Sequence, residues 1–472
     1  MTNHRLVPLI VAVALFMENM DSTVIATSLP AIAAALGTNP LTLKLAVTAY
    51  LLSLAVFIPI SGWTADRFGA RAVFRAAIGV FVLGSIGCAL SESLSQFVAA
   101  RIVQGMGGAM MTPVGRLVLV RTVDRRELVN AMAWVSIPAM IGPIMGPPLG
   151  GFITTYASWH WIFLINVPMG LAGIWLVTRY IPDVRAEVPE KFDLVGMIFS
   201  GVAVAGLTFG FSVAGFDLVP WSIVIGLIAG GAISLMLYLA HAKRVTAPVL
   251  DFSLLKFPTF RASFFGGFLF RIGVGAIPFL LPMLLQVGFH LTPFQSGLIT
   301  FSATVGAIGM KAGAATLLKR FGFRNVLVSN AVLSAIFIAA CAAFPYAMPY
   351  WLIIAILVAG GFFRSLQFTA VNAIAYAEIP PERMSRATSL AAVGQQVSLS
   401  TGVAIGALTV EMMSRFNHGG TIGAMDFPAG FMAVGLIAGA SALVFWQLPK
   451  DAGADMADRT PTPTEPSDQR VG

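Results

Sequence analysis

The chain has 472 residues, 57% hydrophobic and 11% charged, with a mean hydropathy of +0.85 and a net charge of +8. Soluble domains carry about 25% charged residues and split when they grow past about 250–300 residues, so this composition excludes an ordinary soluble enzyme and points to an all-α membrane protein. The alternation of barrel strands is absent, and the basic residues are too dispersed to form a nucleic-acid groove, so no nucleic-acid partner is expected.

A helix needs about 20 apolar residues to cross a hydrocarbon core of about 30 Å. Runs of that length predict about fourteen spans: 6–29, 43–63, 73–91, 95–120, 130–154, 161–181, 195–214, 221–241, 262–286, 294–318, 325–344, 350–376, 387–413 and 427–447. Lys and Arg are retained on the cytoplasmic side during insertion. With the N-terminus inside, the cytoplasmic loops hold Arg67, Arg71, Arg75, Arg121, Arg125, Arg126, Arg185, Lys191, Lys319, Arg320 and Arg324 among others, against only Lys44 and Arg415 outside. Both termini are therefore expected in the cytoplasm. The first run follows Arg5 as a signal peptide would, but it contains Glu18 and Asp21 and no small-residue cleavage site follows, so it reads as a retained helix.

In that first segment Glu18 and Asp21 are three residues apart, on nearly one helix face. Intramembrane carboxylates are costly, face the bundle interior and mark ion or proton pathways; a structural ion pair is the plain alternative. The loop after the second segment holds Gly62, Asp66, Arg67, Gly69 and Arg71. An Asp at a helix end with arginines a turn away can latch two helices in one conformation and release them in another, beyond the ordinary anchoring role of the arginines. Arg101, in the fourth segment, lies about 9 Å from the outer face, and Asp21 about 8 Å from the same face, so the two are natural partners. A pair that forms and parts as helices move would tie protonation to the transport cycle.

The fifth segment carries Pro138, Gly142, Pro143, Gly146, Pro147 and Gly150. Glycines four apart admit a second backbone closely and prolines weaken the ladder, which suits plain helix packing as well as a bent functional helix. Two internal matches fall at nearly one offset. Arg67-Phe68-Gly69 recurs as Arg320-Phe321-Gly322, and Gly142, Gly146 and Gly150 recur as Gly394, Ser398 and Gly402. The chain therefore divides into a six-helix bundle (1–181), an inserted helix pair with its linkers (182–261), a second six-helix bundle (262–447) and a polar tail (448–472) expected to be disordered.

The second half has no deep acid but carries Arg271, Lys311 and Arg364. Lys311 lies close enough to a helix end to snorkel, whereas Arg271 and Arg364 are deeper and need an anion, a carbonyl or water beside them. Glu411 falls at the outer interface and reads as surface. Gln104, Gln367, Asn372, Gln395 and Gln396 are candidates for a cavity lining together with Arg271 and Arg364. Cys88 and Cys341 lie in apolar runs, five histidines are scattered and no Gly-x-x-x-x-Gly-Lys-Ser/Thr run occurs, so no metal, cofactor, disulfide framework or direct use of ATP is expected.

The Gly62, Asp66-Arg67, Gly69, Arg71 loop resembles the signature of the major facilitator superfamily, and the resemblance covers the whole membrane region. The helix count and inserted pair resemble its fourteen-helix drug:proton antiporter branch, the EmrB/QacA type with its MdtD-like members. Asp21-Ser22-Thr23-Val24 up to Leu29-Pro30 and Arg101-Ile102-Val103-Gln104-Gly105 resemble that family's first- and fourth-helix motifs, the second linked to proton transfer. Its antiporter signature resembles the glycines and prolines of the fifth segment, which implies export. Ala70 replaces a basic residue common in the family, and Lys319 stands at the second-half counterpart of Asp66, which implies a degenerate second latch.

The resemblance implies a proton-coupled exporter of small molecules in a bacterial inner membrane, working as a monomer with protons, its substrate and the lipid bilayer as partners. Arg271 and Arg364 favour instead a small organic anion as cargo, and a non-transporting sensor of the same fold is a third reading. No catalytic constellation supports an enzyme.

Overall fold

The computed structural model describes residues 3–123, 128–182, 193–213, 219–246, 248–344, 348–380, 383–419 and 421–453. Arg125, Arg126, Arg185, Lys191 and the tail beyond residue 453 lie outside these residues, and so does the side chain of Pro138. The described residues are helical, with no strand among them.

Helix α1 (Asn3–Ala35) is followed by Gly37, and Asn39 caps the next turn by accepting the Leu41 N–H at 2.9 Å. That 3-10 turn (Pro40–Leu43) leads into α2 (Lys44–Phe57). A second 3-10 turn, Ile58–Ile60, contains Pro59, which has no N–H to give, and separates α2 from α3 (Ser61–Phe68). Then follow α4 (Ala70–Ala89), α5 (Leu94–Thr122), α6 (Leu128–Tyr156), α7 (Trp161–Leu164), α8 (Asn166–Tyr180), α9 (Leu194–Val213) and α10 (Trp221–Ala242). After them come α11 (Pro258–Met283, continued by a π turn), α12 (Pro293–Phe321), α13 (Phe323–Ala340), α14 (Tyr350–Ile374), α15 (Met384–His418) and α16 (Phe427–Trp446).

Among the described residues eleven helical stretches are long and apolar enough to cross a membrane, or twelve if Pro293–Lys311 and Gly313–Phe321, bent by 60°, form one span. This measure falls short of the fourteen expected spans. Helix α5, loaded with Arg101, Arg116 and Arg121, is not among the eleven, and α6 runs through residues that are only partly described.

The repeated loop has a repeated geometry. Gly69 joins α3 to α4 at φ 93° and Gly322 joins α12 to α13 at φ 77°, a backbone region in which a side chain is strained, so both Arg-Phe-Gly turns need their glycine. The glycine ladders repeat as well. A Cβ at Gly142 would meet the Met20 nitrogen at 2.9 Å, and one at Gly146 or Gly150 would overlap Thr23 or the Val24 carbonyl, so α6 lies directly on α1. Gly402 on α15 stands in the same relation to the Ile272 carbonyl of α11.

One end of the molecule is sealed between its first and second halves. Gln286 Nε2 donates to the Thr27 carbonyl at 2.8 Å, the Phe294 N–H donates to Thr155 Oγ1 at 3.1 Å, and a Cβ at Gly151 would overlap the Pro293 carbonyl. Towards the other end the halves part around a cavity of about 990 Å³. At the flank α9 packs against α2 and α15, one helix from each half, and α10 packs on α9.

Candidate functional site

Two carboxylates on α1 face different surroundings. Asp21 is 2% exposed and fully engaged: Arg101 Nη1 donates to Oδ2 at 2.7 Å, while Gln104 Nε2 and Asn166 Nδ2 donate to Oδ1 at 2.8 and 3.0 Å. The network closes on itself. Arg101 Nη1 also reaches Gln104 Oε1 at 2.5 Å, and Ser85 Oγ accepts from Gln104 at 2.8 Å and from Asn166 at 3.2 Å. The Arg101 guanidinium lies 4.1 Å from the Tyr50 ring centroid, a cation–π contact on its remaining side. Gly84 permits the arrangement, because a Cβ there would overlap the Gln104 backbone and push α4, with Ser85, away from α5.

Glu18 turns to the central cavity instead, where Thr112 Oγ1 donates to its Oε2 at 2.5 Å. Asn19, Arg116, Asp66, Arg271, Asn372 and Gln395 also line this space. Arg271 Nη2 donates to Asn372 Oδ1 at 2.8 Å, and its guanidinium lies 5.3 Å from the Phe368 ring centroid. The cavity thus has a carboxylate on the α1 wall and a guanidinium on the α11 wall. A pair of unlike charges on opposite walls can bind a polar solute, and a carboxylate in reach of water can exchange a proton.

Several expectations need correction. Gln104 does not line the cavity; it is fully buried as the hub between Asp21, Arg101 and Ser85, because its position on α5 turns it towards α4. Arg364 lies in a separate groove between α12 and α14. Asp66 is held by Arg121 of α5 at 2.5 Å rather than by Arg67 or Arg71, because the reversal at Gly69 carries Arg71 away to the Thr178 carbonyl of α8. Glu411 is buried rather than superficial: it accepts from Arg415 Nε at 3.0 Å, and its charge acts on the buried Lys44 of α2. Gly62 borders the cavity, and a Cβ there would meet nothing within 4 Å.

Ser85, Asn166, Tyr50 and Thr112 were not among the candidates. Their one signal in the sequence is a polar group within an apolar run, which many lipid- or backbone-bonded hydroxyls share.

Comparison with known proteins agrees with this architecture. The sequence pattern of the Major Facilitator Superfamily matches residues 11–256 and 263–467. MdtD proteins of Salmonella heidelberg (strain SL476) and Salmonella typhi, both named for multidrug resistance, are 37% identical over 455 residues, 95% of this chain and 95% of theirs. In structure the chain is similar to a D-xylose-proton symporter (TM-score 0.66, 15% identity, 95% of this chain and 98% of that one). It is also similar to a POT family transporter in complex with 5-aminolevulinic acid (TM-score 0.67, 12% identity, 93% and 94%). At such identities these structures speak to the fold alone. The sealed end, the cavity between two helix bundles and the match along nearly the whole sequence lead to one conclusion: the chain belongs to the major facilitator superfamily.

Proposed function

We propose that the protein is a proton-coupled secondary transporter that exports small molecules, of the multidrug-efflux type, by alternating access. The observation that carries this reading is the division of labour on α1: Asp21 is sealed with Arg101 at 2.7 Å while Glu18, one turn earlier, meets the cavity. A sealed carboxylate that opens only when the helices move gives the coupling that an antiporter needs. The names of the 37% identical MdtD relatives support multidrug cargo.

In this reading the chain has fourteen spans, with 1–181 and 262–447 as the moving bundles and 182–261 as the inserted pair. It acts as a monomer in a bacterial inner membrane with both termini cytoplasmic. The sealed end, near Thr27 and Gln286, then faces outward, and the cavity is open to the cytoplasm. Asp66 and Arg121 stand at the cytoplasmic ends of α3 and α5, and their pair latches the first bundle in this state.

The test is proton movement from acid-loaded proteoliposomes holding a pH dye, on addition of tetraphenylphosphonium. The protein should release protons and Asp21→Asn should not. Full release by Asp21→Asn at matched protein level would overturn the assignment.

A further inference from the structure

The second half of the pathway has a polar opening apart from the cavity just described. A groove of about 440 Å³ lies between α12 and α14, and Thr304, Lys311, Arg364, Ser365, Thr369 and Asn372 line it. The two helices are pressed together at one point, where a Cβ at Gly361 would overlap the Ala303 carbonyl and one at Gly306 the Val358 carbonyl. Lys311 and Arg364 border the groove with small or hydroxylated neighbours.

Among the described residues neither of these cations has a hydrogen bond or ion pair, and no Asp or Glu lines the groove. Arg364 is a cation at membrane depth, costly unless an anion or water meets it, and the exposed Lys311, nearer the helix end, shares its space. The planar fork of Arg matches a carboxylate or phosphate with two parallel hydrogen bonds, the Lys ammonium adds a point charge, and the hydroxyls of Thr304 and Ser365 supply further donors. A lipophilic cation would be repelled from the same place.

The groove is not isolated. Phe368 and Asn372 line both it and the central cavity, and on their far side stands Arg271, bonded to Asn372 at 2.8 Å. Three cations therefore flank one short stretch of α14.

We propose that this groove is an anion subsite, which binds the carboxylate or phosphate group of a ligand against Arg364 and Lys311 while the rest of the molecule extends past Asn372 into the cavity. The inference rests on the reading of that cavity as the transport pathway, and it extends the cargo to molecules with an anionic group. A free dicarboxylate and an anionic lipid headgroup offer the same chemistry.

Equilibrium binding tells the sources apart without requiring transport. In phosphatidylcholine nanodiscs, calorimetry with succinate should show saturable binding, weakened at least tenfold in Arg364→Gln and in Lys311→Gln and largely restored in Arg364→Lys, which also checks that the variants fold. In nanodiscs containing phosphatidylglycerol, native mass spectrometry should instead show retained lipid, lost in Arg364→Gln, if the headgroup is the occupant. Either result supports the subsite. Binding of neither probe, or equal binding by the protein and both neutral variants, overturns it. Asp21→Asn should still bind succinate, and in the unmutated protein absent proton movement with intact anion binding counts against the transport reading alone. Proton movement without anion binding counts against the subsite alone.

Discussion

Asp21 and Arg101, 80 residues apart in sequence, meet at 2.7 Å with both side chains 1% exposed. Burial removes most of the solvation that either charge would have in water, so each depends on the other. Removing one partner of such a pair costs about 3–5 kcal/mol because the other is left charged and unpaired. Asp21→Ala should therefore lower the midpoint of thermal unfolding in detergent strongly. Asp21→Asn, which keeps the shape and some hydrogen bonds to Gln104 and Asn166, should lower it less. Equal melting of both variants and the parent would mean that the pair contributes nothing to the folded state.

Asp66 and Arg121, 2.5 Å apart, are a quarter to a third exposed, at 33% and 24%, so solvent screens them and their contribution is about 1 kcal/mol or less. The expected effect of Asp66→Asn is therefore on the conformational balance rather than on folding: a shift of up to about fivefold towards the outward-open state. Labelling of a cysteine introduced at Thr27, beside the sealed end, would rise in that variant. No rise would remove Asp66 from the latch.

The glycines differ in the room around them, with Gly150 of α6 pressed against α1 and Gly62 of α3 in open space. A Cβ at Gly150 would overlap the Val24 carbonyl, a backbone atom that cannot swing aside, whereas a Cβ at Gly62 meets nothing within 4 Å. Overpacking of this kind costs about 1–3 kcal/mol. Gly150→Ala should thus reduce the yield of folded protein and its unfolding temperature, with Gly62→Ala close to the parent in both. The reverse order would contradict the packing described for α1 and α6.

Glu18 and Thr112 predict a split between binding and coupling. Thr112→Val removes the donor 2.5 Å from Glu18 Oε2 but leaves the carboxyl in the cavity. It should weaken tetraphenylphosphonium binding several-fold while leaving proton release per cation transported in place. Glu18→Gln should weaken the same binding more, because it removes the cavity carboxylate itself. Unaltered binding in both variants would place the cation elsewhere in the cavity.

The legible and illegible parts of this molecule divide along one line, distance along a helix against direction around it. Rise per residue is fixed at about 1.5 Å, so equal depths for Asp21 and Arg101 could be worked out from two segment ends. The same arithmetic could not say which way Gln104 turns: its partners Asp21 and Ser85 come from α1 and α4, and only packing of those helices, with Gly84 letting α4 lie on the Gln104 backbone, selects that face. The Asp66 partner was missed for a related reason, since the turn at Gly69 reverses the chain and turns Arg71 to α8 while Arg121 arrives from the far end of α5. Glu411 read as surface because it lies near a helix end, yet α15 packs on α2 there and covers it. Periodicity and repeats carry the helices and the Gly69–Gly322 correspondence; pairings between distant helices need the tertiary structure.

The central claim is that Asp21 carries the coupled proton. The most direct test is proton efflux from acid-loaded proteoliposomes, read with an internal pH dye, on addition of tetraphenylphosphonium, because turnover carries Asp21 through the state in which its pair with Arg101 is parted. The account predicts release from the parent and from Glu18→Gln at saturating cation, and none from Asp21→Asn. Undiminished release from Asp21→Asn would contradict it and reduce the Asp21–Arg101 pair to a structural contact.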